Sequence, residues 1–204
     1  MRPTLNDAQV EALRRLAGDS RPTIVSVHAY EDLGVNAIPE AFADELAQRL
    51  GWPADDAIVQ TNLVAHTGAD GYGRLARQPA FDGTVHPGTD YVLVDDFVGM
   101  GGTLANLRGY IESKGGRVLG ALALTGKQYS AKLTLEEKTL EELRQTHGQD
   151  LIGGGKTGSV TPSTALLNQK LGTSPAPRML TPSEIELLRQ SKREIAARRV
   201  ARAG

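Results

Sequence analysis

Residues 91–107 read YVLVDDFVGMGGTLANL: an apolar run closes on two adjacent carboxylates, Asp95 and Asp96, and a glycine-rich turn follows at once. Four successive apolar residues, Tyr91 to Val94, are the mark of a strand buried on both faces. From Thr103 the spacing of Leu104, Leu107 and Ile111 is helical and reaches Lys114, with Gly115 and Gly116 as its stop. A strand, a glycine turn and a helix in that order place Asp95 and Asp96 at a strand's carboxyl end. Ligands gather there in open parallel sheets.

The surrounding chain repeats this alternation. Asn6 to Ala17 reads as a helix, with Asn6 as cap, Gln9 three residues on and Gly18 beyond its end. TIVSVHAY, 23–30, reads as a buried strand. A helix follows with Pro39 in its first turn and Phe42, Ala43, Leu46 and Leu50 along one stripe up to Gly51. Further strands are expected at Ile58 to Val64 and at 117–125. The fold class is therefore α/β, a doubly wound and mostly parallel sheet, covering residues 1–129 with its N-terminal helix. Residues 130–204 form a helical and loop-rich C-terminal extension or hood-like subdomain, in which Thr134 with Glu137 and Thr181 with Glu184 are capping boxes.

Composition narrows the partners. The 204 residues carry a net charge of -1, which supplies no field for nucleic acid or an anionic membrane, and there is no cysteine for a disulfide or thiolate metal site. No apolar stretch approaches a membrane span, so a soluble cytoplasmic protein acting on small molecules is expected. His28, His66, His86 and His147 lack metal-ligand spacing. The string GGGKT at 153–157 resembles a Walker loop, but Asp150 stands where its first glycine belongs and no strand precedes it. The last helix carries Arg189, Lys192, Arg193, Arg198, Arg199 and Arg202; such a terminal stripe is ordinarily solvated or packed on a second copy of the chain, as in a homodimer.

The chemistry of the central stretch is specific. Two vicinal carboxylates repel unless a cation or hydrogen-bond donors lie beside them. Gly99, Met100, Gly101, Gly102 and Thr103 lead into a helix N-terminus, whose free amides and dipole favour a phosphate. A ribose diol with Mg²⁺ and a 5-phosphate would satisfy both halves.

The run YVLVDDFVGMGGTL resembles the phosphoribosyl pyrophosphate (PRPP) signature of type I phosphoribosyltransferases, and the resemblance spans roughly residues 20 to 125. It implies that Asp95 and Asp96 hold the ribose hydroxyls directly or through Mg²⁺ and stabilise charge on the ribose carbon as pyrophosphate leaves. It implies that Gly99, Met100, Gly101, Gly102 and Thr103 cradle the 5-phosphate. Ala29, Tyr30 and Glu31 take the place of the pyrophosphate loop, and the unpatterned segment 66–86 that of a mobile catalytic loop, with Arg74 and Arg77 closing over the pyrophosphate to exclude water.

Three departures shape the expectation. Met100 replaces a threonine whose hydroxyl would donate to phosphate, which implies weaker binding. Gly99 replaces the acid of the 6-oxopurine enzymes, and HAYED at 28–32 is acidic where the family often has a base. The expected activity is phosphoribosyl transfer to a nucleobase-like nitrogen acceptor. A non-catalytic PRPP-binding regulator is the alternative, and a phosphohydrolase or phosphorylase of phosphorylated ribose a third.

Overall fold

The computed structural model describes residues 5–31, 34–64, 78–99, 101–127, 145 and 177–203. Arg74, Arg77, Met100, the expected helix after Thr134 and the GGGKT string lie outside the described residues. The first elements are α1 (Asp7–Ala17), β1 (Thr23–Ser26), β2 (Ala29–Glu31), β3 (Gly34–Asn36) and α2 (Ile38–Leu50). Then come β4 (Val59–Gln60), β5 (Asn62–Leu63), β6 (Phe81–Asp82), β7 (Asp90–Val98), α3 (Gly102–Ser113), β8 (Arg117–Gly126), β9 (Arg178–Met179) and α4 (Pro182–Ala203). No helix among the described residues is long and apolar enough to cross a membrane.

The central sheet has the order β1-β7-β8 and is parallel throughout: Thr23 pairs with Tyr91 and Ser26 with Val94, while Leu93 pairs with Ala121. Beyond the free edge of β1, residues 53–60 run alongside it. Ile24 N donates to Pro53 O at 2.8 Å, Asp55 N to Ile24 O at 2.8 Å and Gln60 N to His28 O at 2.9 Å, with a parallel bridge between Ile24 and Ala54. From β1 the chain thus crosses by α2 to one side, and from β7 it crosses by α3 to the other. The two helices cover opposite faces, as connections of a single hand require. Phe42 and Leu46 of α2 pack with Ile24, Val92 and Val94, whereas Leu104, Leu107 and Ile111 of α3 pack with Val25, Val27, Tyr91 and Leu93. The fold is a doubly wound α/β sheet, and the direction of winding reverses between β1 and β7.

Local sequence accounts for the element ends. Asn6 and Gln9 close the capping box of α1 (Gln9 N to Asn6 Oδ1, 2.8 Å), and Gly51 ends α2 in the left-handed region. Two strand expectations are corrected, and part of the segment expected to be an unpatterned loop is a strand. The stretch 23–30 is not one strand: after Val27 N bonds Val94 O, His28 turns its carbonyl to Gln60, and Ala29 starts an antiparallel hairpin with β3. The segment 58–64 divides into β4 and β5, which pair with β6 and β9. Within 66–86, Phe81 and Asp82 form β6, too short a strand to carry a periodic signal. Gly83 follows at φ 145°, where a Cβ would lie 2.6 Å from Ala57 O, so only glycine lets the two backbones approach.

The basic terminal helix α4 returns to the sheet domain. Thr181 and Glu184 form their capping box (Thr181 N to Glu184 Oε2, 2.8 Å), and Leu188 packs with Val59 and Leu180. Lys192 is wholly buried. Its Nζ donates to Asp55 Oδ2 at 2.9 Å and to Ile58 O at 3.1 Å, and lies 3.4 Å from Glu40 Oε2. Arg189 reaches Asp82 and Arg193 reaches Glu186, so these members of the stripe, like Lys192, are engaged within the chain.

Candidate functional site

Strand β7 does not stop at its acids. It continues through Phe97 and Val98, paired with Thr125 and Gly126 of β8. What stops is its other neighbour, since β1 pairing ends at Ser26 and Val27 opposite Val94. Asp95 and Asp96 therefore stand at the mouth of the crevice between β1 and β7. That crevice is also where the winding reverses, the position at which open α/β sheets bind ligands.

The two carboxylates differ in setting. Asp95 is buried, and its Oδ1 accepts a hydrogen bond from Asp96 N at 2.9 Å. Burial, reinforced by the neighbouring Asp96 charge and more distantly by Glu31, pushes its carboxyl up to about 8. Successive strand residues face opposite ways, which brings Asp96 to the α2 side. There Asn36 Nδ2 donates to Asp96 Oδ2 at 3.0 Å and also to Glu31 Oε1 at 3.0 Å. The hairpin β2–β3 thus carries Glu31 to the acidic pair.

Past β7 the chain enters α3 through Gly101, left-handed at φ 75°, with no side chain capping the helix. The first-turn amides at Gly102 and Thr103 are left for solvent or an anion. A Cβ at Gly102 would meet nothing within 4 Å. Packing among the described residues does not require glycine there, whereas close approach of a phosphate would.

Of the residues singled out in the sequence, Glu31, Asp95, Asp96, Gly101, Gly102 and Thr103 are carried by the chain segments around this crevice, and Gly99 directly follows β7. Ala29 is buried in β2, and Tyr30 packs towards Leu180, Leu188 and Val59, on the α4 side. Asn36 was legible only as a polar residue ahead of a helix; its Oδ1 accepts from Ile38 N at 3.2 Å, a signal of the capping kind. Its clamp on two carboxylates from distant positions had no signature.

Carboxylate oxygens are the hard donors that Mg²⁺ prefers, and Mg²⁺ is commonly held by one or two carboxylates together with substrate phosphates. Asp95, crowded and raised, fits that use. Among the described residues no group of three acidic, histidine or cysteine side chains forms a metal cage by itself.

No protein-family model matches the chain. It is 44% identical over 144 residues to Protein TraN of Escherichia coli, a match covering 71% of this chain and 32% of that protein. It is 43% identical over 107 residues to an uncharacterized protein of Haemophilus influenzae, covering 52% of this chain and 24% of the other. The chain thus spans about a third or less of these curated relatives. Among solved structures, an adenine phosphoribosyltransferase superposes with a TM-score of 0.42 at 17% identity, over 67% of this chain and 72% of that one. The adenine phosphoribosyltransferase of Leishmania tarentolae gives 0.42 at 21% identity (70% and 62%), and the orotate phosphoribosyltransferase of Aeropyrum pernix 0.37 at 18% (68% and 75%). Likenesses this distant carry no function, and the α/β fold class rests on the parallel sheet and its two helical faces.

Proposed function

We propose that the chain binds PRPP together with Mg²⁺ and transfers its phosphoribosyl group to a nitrogen of a nucleobase-like acceptor, releasing pyrophosphate. The observation that carries this reading is the placement of Asp95 and Asp96 at the β1/β7 crevice, one turn ahead of an uncapped helix entered through Gly101. An acidic pair beside an anion cradle matches a ribose diol beside its 5-phosphate.

In this reading Asp95 and Asp96 accept hydrogen bonds from the ribose hydroxyls and hold negative charge near the ribose carbon. The amides at Gly101, Gly102 and Thr103 hold the 5-phosphate and fix the sugar. The carbon–oxygen bond to pyrophosphate breaks with its electron pair leaving on oxygen, and the carbon–nitrogen bond to the acceptor forms in a loose displacement. Mg²⁺ would neutralise the departing pyrophosphate. Arg74 and Arg77 take the role of excluding water from the charged carbon.

A second reading, a PRPP-binding regulator without transferase activity, is favoured by Glu31. It sets a third carboxylate beside Asp96, where departing pyrophosphate would want a base. Calorimetric titration of PRPP in Mg²⁺ and then in EDTA tests both readings. Metal-dependent saturation at one site per chain, abolished in Asp95→Asn, is expected, and pyrophosphate release with a panel of nucleobases then separates enzyme from regulator. Absence of binding in either medium rejects both.

A further inference from the structure

The acidic pair is not held by its own strand alone. Asn36 lies where the hairpin β2–β3 turns into α2, and both ends of its side-chain amide are engaged: Oδ1 accepts from Ile38 N at 3.2 Å, and Nδ2 donates to both Glu31 Oε1 and Asp96 Oδ2, each at 3.0 Å. The acceptor end fixes the amide to the first turn of α2. The donor end bridges two carboxylates that are far apart in sequence and repel each other.

The geometry points to Asn36 as the positioning residue of the site: through its amide it sets the Asp96 carboxylate and ties the Glu31 hairpin to it, holding both in register for the sugar–pyrophosphate moiety. This inference rests on the PRPP reading. One hydrogen bond from the planar amide restrains the Asp96 carboxylate, and the second, to Glu31, fixes the amide that makes it. A carboxylate held this way presents its remaining lone pairs in one direction, and preorganisation of that kind is a source of affinity. The same bridge offsets part of the repulsion between Glu31 and Asp96, since a hydrogen bond to an ionised acceptor stabilises it. Without it, the hairpin and the strand end would separate their charges. In this role Asn36 acts through Asp96, its amide hydrogens being engaged by the two carboxylates.

Two substitutions isolate the donor. Asn36→Asp keeps an acceptor for Ile38 N and removes the Nδ2 donor, so the bond to the first residue of α2 is retained while the clamp is lost. Asn36→Ala removes both without adding charge. PRPP is titrated calorimetrically into wild type and both variants over a series of Mg²⁺ concentrations, with hydrogen exchange followed along α2. Expected is a rise of about tenfold or more in Kd for PRPP in both variants, the size associated with losing a hydrogen bond to a charged group. The Mg²⁺ concentration for half-maximal binding should also rise, and α2 should keep its protection in Asn36→Asp. A merely structural role would alter protection and leave the Mg²⁺ requirement unchanged. Wild-type binding with unchanged affinity and Mg²⁺ requirement in both variants overturns the positioning role and leaves the PRPP reading standing. No binding by wild type overturns both.

Discussion

Among the described residues, the surroundings of Glu40 and of Asp95 both take a carboxylate out of water, and they solve the problem in opposite ways. Glu40 and Asp55 meet Lys192 of α4: the ammonium lies 2.9 Å from Asp55 Oδ2 and 3.4 Å from Glu40 Oε2, Ser26 Oγ donates to Glu40, and Ala57 N and Ile58 N donate to Asp55. At the β1/β7 crevice Asp95 and Asp96 have each other, Glu31 and one amide. The first cluster is closed within the chain, and it fastens the last helix to the sheet. The second is open, and the charge it lacks is what a ligand would bring. Burial of charge is costly in both places, but only the first has its partner built in.

The largest effect should follow from opening the closed cluster. Lys192→Met leaves Glu40 and Asp55 buried without their cation, and the loss of one member of a buried pair costs about 3–5 kcal/mol. Urea unfolding should show the midpoint falling accordingly, with α4 exchanging its amides early. Burial raises the Glu40 carboxyl, and Lys192 opposes that rise, so the substitution should raise it further and make the variant less stable towards alkaline pH. A variant as stable as wild type would mean that Lys192 fastens nothing.

The open cluster should behave in the reverse sense. The Asp95 carboxyl titrates at about 8 in the folded chain against an ordinary 3.8, so between those values the folded state binds the extra proton. Stability is therefore highest at the acid side of that window and falls as pH rises towards 8, at up to about 1.4 kcal/mol per pH unit from this group. Asp95→Asn should flatten the slope and be more stable than wild type at pH 8, while losing PRPP binding. Unfolding free energies at pH 5, 6, 7 and 8 for the two proteins measure this directly. Equal slopes would show that Asp95 is ionised in the free protein and already has a partner.

This contrast explains how far the sequence could be read. YVLVDD and the glycine turn exposed the strand, the acids on it and the start of the following helix, because buried-strand composition and helix starts are local signals. The α/β class with a mostly parallel sheet came from the alternation of elements, whereas the strand order β1-β7-β8 did not. The Lys192 cluster joins positions 26, 40, 55 and 192, and nothing local distinguishes Lys192 from the arginines of its stripe; only the tertiary packing of α4 buries it. The His28 ring is another case. It is fully buried, and burial together with the Lys192 charge lowers it to about 3, a condition that a histidine at a strand end does not announce. The hairpin at Ala29 was hidden for a different reason: its apolar residues continue those of β1, and only the departure of His28 O towards Gln60 N marks the turn.

The smallest effect is expected where charge is paired but wet. Arg117 grips Asp90 with two bonds, Nε to Oδ1 at 2.6 Å and Nη2 to Oδ2 at 2.8 Å, across neighbouring ends of β7 and β8. The geometry is as good as that of Lys192, and the Arg117 bonds hold the Asp90 carboxyl below its ordinary value. A depressed acid contributes stability above its unfolded-state value and loses it as pH falls through the folded one, so Arg117→Gln should cost a little at neutral pH and nothing in strong acid. Water and salt already screen the pair, since the Arg117 side chain is 71% exposed. NMR titration of the Asp90 carboxyl should show it returning upwards in Arg117→Gln, while the urea midpoint moves far less than in Lys192→Met. If the two substitutions destabilised the chain equally, bond geometry would govern these pairs and burial would not, and the distinction between the closed and the open cluster would lose its basis.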